Sequence, residues 1–284
     1  MIIDTFPIND EMDMLFCRLT EMADHVDYVI AIEADVDHQN NPKPYHLTDN
    51  IDRFAQWADK LIVIQAKDLP TTPHDQDPWA REWAQRDWVW NGLEQINAQP
   101  SDVVLHGDVD EICRPLHIRN VRPRFKEFVQ FAQSLHCFAV DWLHPDPWGG
   151  TVACTVETAR AIGERKYVGD EMYHPGAWQI VRNQRNGIQA RNFEGVGYGW
   201  KATVLPEAGW HLSWIGGHDA AQRKLGSFCH PEIADRVASG LASDLFLRDG
   251  WHVDGRKQLP VDVDETFPHW IVEGHAPESW FRPR

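Results

Sequence analysis

The sequence predicts an α/β protein with a Rossmann-like, mostly parallel sheet flanked by helices. Two observations predict it. Continuous apolar runs (Asp27 to Glu33, which ends in an acid, Leu61 to Ile64, and Val103 to His106, which runs into Gly107) read as buried parallel strands. Segments of helical periodicity lie between them, and alternating β and α segments in one chain argue for this layered class. At 284 residues, with no internal repeat or linker-like composition shift, one domain spanning 1–284 is the simplest organisation.

Ile2 to Phe6 is the first short strand, and Pro7-Ile8-Asn9-Asp10 breaks it. Met12, Leu15, Phe16, Leu19 and Met22 then recur at helical spacing, which assigns Glu11, Asp13, Arg18 and Glu21 to solvent. The polar stretch from Asp35 to Asn50 reads as loop. A helix is expected from Pro78 or Trp79 to about Ile96. Another is expected over Arg122 to Leu135, with Phe125, Phe128, Val129, Ala132 and Leu135 on one face, followed by a strand over Cys137 to Trp142. Beyond Gly150 the pattern gives a helix over Thr155 to Ile162 and strands near Trp178 to Val181 and Gly209 to Trp214. Helices are expected near His218 to Ser227 and Pro231 to Leu247.

Composition excludes some functions. The net charge of −16, from 27 basic and 43 acidic residues, argues against a sequence-independent grip on nucleic acid. It also makes any anionic ligand depend on local cations, because two unit charges ~4 Å apart interact by ~4 kcal/mol at an effective dielectric of ~20. No apolar run approaches the ~20 residues of a membrane span, and the start has no signal-peptide pattern. The five cysteines are scattered without C-x-x-C spacing, the usage of free thiols in a cytoplasmic protein. Fourteen tryptophans could stack on sugar rings or simply fill core.

The segment richest in chemistry is Asp108-Val109-Asp110-Glu111, directly after the third buried strand. Strand alternation would point Asp108 and Asp110 the same way, at the strand end where sheet enzymes bind ligands. Two such carboxylates repel unless a cation lies between them, and Mn²⁺ or Mg²⁺ completed by phosphates suits that geometry. His211, in Gly209-Trp210-His211-Leu212-Ser213-Trp214, is a further candidate ligand, and an imidazole would favour manganese. Glu33 ends a strand, Arg81 and Arg86 share a broad helical face, and Lys224 and His230 lie further on; these are candidate contacts to a diphosphate-bearing ligand.

Several short motifs together resemble glycosyltransferase family 17. They are Asp4-Thr5-Phe6-Pro7, Asp10 to Leu15, Arg18 to Met22, Val26-Asp27-Tyr28 through Glu33-Ala34, Lys43-Pro44, Trp79 to Asp87 and Asp108 to Ile112. Gly209 to Trp214, Lys224, Ser227 to Glu232 and Gly250-Trp251-His252-Val253-Asp254-Gly255 continue the likeness. The family includes β-1,4-mannosyl-glycoprotein N-acetylglucosaminyltransferases. The resemblance implies a GT-A type fold, a UDP-sugar donor (UDP-GlcNAc), manganese held by Asp108 and Asp110, and inversion at the anomeric carbon. Cys113 stands where a proline often follows Asp-Glu-Ile in the family.

The acceptor is expected to be a glycan: a polysaccharide, a lipid-linked glycan or a small glycoside, since the chain shows no anchor or stem like those of Golgi relatives. Direct displacement needs a carboxylate to take the acceptor proton; the candidates are Glu232, Asp219, Asp170 and Glu111, with Glu232 favoured because it lies in a matching motif. Rival readings are a glycoside hydrolase, which also pairs carboxylates, a silent carbohydrate-binding protein and, more remotely, a nucleotidyltransferase.

Overall fold

The computed structural model describes residues 1–73, 76–164, 176–183 and 200–283, with the backbone alone for Asn183, Pro231 and Glu232. Its strands are β1 (Ile2–Pro7), β2 (Tyr28–Ala34), β3 (Leu61–Ala66), β4 (Val103–His106), β5 (Glu111–Cys113), β6 (Glu127–Cys137), β7 (Trp142–Leu143), β8 (Trp148–Thr155), β9 (Lys201–Leu205), β10 (Gly209–Ser213) and β11 (Leu259–Pro260). The helices are α1 (Met12–Met22), α2 (His46–Asp49), α3 (Ala80–Asp87), α4 (Val89–Gln95), α5 (Pro115–Asn120), α6 (Val156–Gly163), α7 (Ala177–Asn183), α8 (Gly217–Leu225), α9 (Pro231–Ala242) and α10 (His269–Val272).

The strands run in the order β3-β2-β1-β4-β8-β6-β7-β11, with β10 pairing both β5 and β6, and β9 pairing β6. The amino-terminal half meets the expectation of parallel pairing: β1 is parallel to β2 and β4, and β2 to β3, while further on β9 and β10 each run parallel to β6. From β4 onward β8, β6, β7 and β11 join antiparallel, so the sheet is mixed.

Two apolar layers cover the amino-terminal sheet. One gathers Phe6, Leu105 and the buried face of α1 (Leu15, Leu19, Met22). The other packs Ile30 and Ile32 against Leu93, Ile162 and Trp178 of α4, α6 and α7. Each such side chain removed from water contributes roughly 1.5–3 kcal/mol. A third cluster, Phe138, Trp214, Leu241 and Phe246, seats α8 and α9.

Four sequence expectations are corrected. The helix over 122–135 is strand β6. A register shift between Gln130 and Ala132 turns Phe128 and Phe131, three residues apart, to the inside, which imitates a helical period. The strand near Trp178 is helix α7, whose residues from Ala177 to Arg182 are buried all round; periodicity alone cannot type such a run. The long helix from Trp79 divides at Trp88 into α3 and α4. The strand over Cys137 to Trp142 breaks at Phe138, whose φ of 71° leaves the extended region.

Among the described residues no helix is long and apolar enough to cross a membrane.

Candidate active site

Parallel strand β4 delivers the chain to the turn Asp108–Glu111, so the acid segment stands at the carboxyl end of β4. It is a turn and not extended strand. The Glu111 amide donates to the Asp108 carbonyl at 3.0 Å, and Leu212 of β10 donates to the Asp110 carbonyl at 2.9 Å. Strand alternation therefore does not apply, and the two carboxylates take different partners. Asp108 lies between two guanidiniums: Arg86 Nη2 is 2.5 Å from Oδ1, and Arg182 Nη2 bonds Oδ2. Asp110 lies between His211, whose Nε2 is 3.4 Å from Oδ1, and Lys224, whose Nζ is 3.3 Å from Oδ2. Among the described residues Asp108, Asp110 and His211 do not converge as three ligands on one point.

The turn is held from beneath by a residue assigned above to solvent. Arg18 is fully buried on α1 and pairs with Asp4 of β1 through two hydrogen bonds, 2.6 and 2.8 Å. Its Nη1 donates to the carbonyls of Asp108, Val109 and Glu111 at 2.9, 3.3 and 2.7 Å. Glu21, also assigned to solvent, is buried and accepts from the backbone of His269. The signal was present: Arg18 follows Met14 by four and Leu15 by three, which puts it on the buried stripe.

Glu111 is wholly buried and fully engaged. It accepts from the Asp108 amide at 3.1 Å, from Trp148 Nε1 at 2.7 Å and from Arg182 at 2.7 Å. Both oxygens serve the turn, so Glu111 positions it. Arg86 bridges Glu82 at 2.7 Å and Asp108, and Glu82 also accepts from the Cys229 thiol. Arg182 was missed in the sequence because it lies in a run buried from Ala177 to Arg182, which has no readable period.

The electrostatics follow from burial and pairing. Burial pushes the Asp110 carboxyl up, but the Lys224 ammonium and His211 outweigh it and hold it down at about 2. Burial also opposes the charge on Glu82, and Arg86 with His38 brings it down to about 2. Lys224 rises from its ordinary value: burial lowers it, and Asp110 and Glu11 more than reverse that. Burial drives His106 well below the usual histidine range, leaving it neutral beside Thr5.

The other sequence candidates are placed as follows. Glu33 is buried and caps α2, accepting from the amides of Leu47 at 2.9 Å and Thr48 at 3.1 Å. Arg81 is buried and donates to the carbonyls of His38, Pro70 and Thr72. Both are occupied in holding loops, away from the acid turn's own contacts. The His230 ring packs edge-on against Trp79 at 4.5 Å. Asp219 is exposed in the first turn of α8. Asp170 and the Glu232 side chain lie outside the described residues. The five cysteines are all free and buried.

Residues 1–138 match the model of Glycosyltransferase family 17. That stretch contains Asp4, Arg18, Arg86 and the acid turn, whereas Arg182, His211 and Lys224 lie beyond it. No curated protein matches the chain. Among solved structures, a similar one is the "crystal structure of a glycosyltransferase involved in the glycosylation of the major capsid of PBCV-1". It is 8% identical and covers 85% of this chain and 98% of that chain, with a TM-score of 0.34. The match covers a little under half of the chain: over its first 138 residues the chain is similar to family 17, which supports a glycosyltransferase.

Proposed function

We propose that this glycosyltransferase moves a sugar, GlcNAc by family resemblance, from a UDP-sugar to a glycan hydroxyl with inversion, and that Mn²⁺ or Mg²⁺ assists. The observation that carries the reading is the set of cations gathered at the end of β4: Arg86, Arg182 and Lys224 with His211 around Asp108 and Asp110. In a chain of charge −16 this is where an anionic diphosphate finds compensation.

Asp110 and His211 fit a metal. Their facing atoms are 3.4 Å apart, and adjacent ligands ~2.1 Å from an octahedral ion stand ~3.0 Å apart. A carboxylate with an imidazole favours manganese over magnesium. His211 Nδ1 is buried and has no hydrogen-bond partner among the described residues. Asp108 is the weaker ligand of the expected pair, since each of its oxygens faces an arginine. When bound, the metal supplies positive charge to the departing diphosphate.

The chain's own residues supply the rest. Arg182 Nη1 is buried without a partner among the described residues, a donor ready for a phosphate oxygen. Lys224 adds a charge that Asp110 and Glu11 keep in place against burial. Glu111 and Arg18 fix the turn, so little reorganisation is needed as charge develops. Asp219 and Glu232 are the candidates for accepting the acceptor's proton. A cytoplasmic setting is supported by the five free thiols.

The test is hydrolysis or transfer of UDP-sugars with manganese present. Asp110→Ala and Asp108→Ala should each lower turnover by about 10²-fold or more. Loss within tenfold for both, or UDP binding that ignores manganese, would overturn the reading. Release of sugar from a glycan without nucleotide would favour a hydrolase.

A further inference from the structure

A second cluster of metal-ligating side chains is made by other elements. His144 follows β7, and His252 and Asp254 belong to the loop ahead of β11. One donor atom from each lies within 4.8 Å of the other two. His144 Nε2 is 3.2 Å from Asp254 Oδ2, His252 Nδ1 is 3.0 Å from Oδ1, and the two rings stand 4.6 Å apart. Ligands on adjacent corners around an ion at ~2.1 Å are separated by ~3.0 Å in an octahedron and ~3.4 Å in a tetrahedron. Both carboxylate contacts fall in that interval.

The loop presents the ligands in a fixed arrangement. Trp251 pairs with Lys257 across it, the His252 amide donates to Arg256 O at 2.9 Å, and the Gly255 amide donates to His252 O at 3.0 Å. Gly255 closes the turn at φ +87°, a conformation that favours glycine. The Asp146 amide donates to His144 Nδ1 at 3.1 Å, which helps hold the ring with Nε2 facing Asp254. Arg256 bonds Asp254 at 2.7 Å and also pairs with Asp146. Two aspartates and one arginine contribute a net charge of −1, which attracts a dication. Exposure rises from 2% at the His144 side chain to 32% at Asp254, so one side of the cluster opens to water.

The remaining cluster among the described residues, His38, Glu82 and Cys229, offers one imidazole instead of two, and its Glu82 is held by Arg86 and by the Cys229 thiol.

We propose that His144, His252 and Asp254 bind one divalent transition-metal ion of the zinc class, at a site separate from the acid turn. Two imidazoles and a carboxylate are a donor set zinc accepts while keeping a position for water. The ion ties the 250–257 loop to the segment after β7.

The probe is Co²⁺, titrated into the full chain after chelator treatment and followed by its visible absorption, with Zn²⁺ as competitor. One equivalent of Co²⁺ should bind, be displaced by Zn²⁺, and survive Asp110→Asn and His211→Ala. His252→Gln and Asp254→Asn, both at partly exposed positions, should weaken it by tenfold or more. Zn²⁺ should raise the melting temperature of the wild type and not that of His252→Gln. No binding, binding unchanged in both loop variants, or binding lost in Asp110→Asn but kept in His252→Gln would each overturn the proposal.

Discussion

Arg18 and Asp4 form a wholly buried, two-bonded ion pair, and the free corner of the guanidinium holds three carbonyls of the acid turn. A single side chain thereby ties helix α1, strand β1 and the candidate catalytic turn together. Replacing Arg18 with methionine leaves Asp4 charged and uncompensated in the core, and breaking such a pair costs about 3–5 kcal/mol. Denaturant unfolding of Arg18→Met should show that loss. Arg18→Lys should recover part of the stability but not the turn, because an ammonium cannot make the same fork.

His211 and Lys224 both face Asp110, but their losses should differ. His211→Ala should raise the manganese concentration needed for half-maximal activity. Lys224→Met should chiefly raise the KM for the nucleotide-sugar. Rate measurements across manganese and donor concentrations separate the two effects. Equal responses would mean that neither assignment holds.

Asp87 gives a pH dependence of opposite sign to an ion-paired carboxylate. Burial raises it to about 6, against an amide hydrogen bond from Trp178, while the unfolded chain titrates near 3.9. The folded protein therefore binds the extra proton between these values, and stability falls as pH rises through that window. Asp87→Asn should melt higher than wild type above pH 6.5, by up to about 2–3 kcal/mol. The advantage should vanish at pH 4. Melting curves from pH 4 to 8 check the crossover.

Gly209 begins β10, where its backbone lies against β5. A Cβ there would come within 2.1 Å of the Ile112 carbonyl, which is backbone and cannot swing away. Gly209→Ala should destabilise by about 1–3 kcal/mol. Because β10 carries His211 opposite Glu111, activity should fall with it. Unfolding and turnover of the same variant test the link.

The buried strands β1 to β4, helix α1 and the acid segment at the end of β4 were legible in the sequence, since apolar runs and turn residues are local signals. So was the membership of Asp108, Asp110, His211 and Lys224 in one neighbourhood, through the motifs that resemble the family. Other features depended on contacts between distant segments. The bulge in β6 disguised a strand as a helix, and a turn replaced the alternation expected of Asp108 and Asp110. Arg182 reaches Asp108 from a helix whose run of buried residues has no readable period. Sequence patterning reports which residues avoid water; it carries no record of which buried charge will meet which. That choice is made when separate segments close around one another, where Coulomb attraction and desolvation depend on distance and burial, and only the tertiary structure decides it.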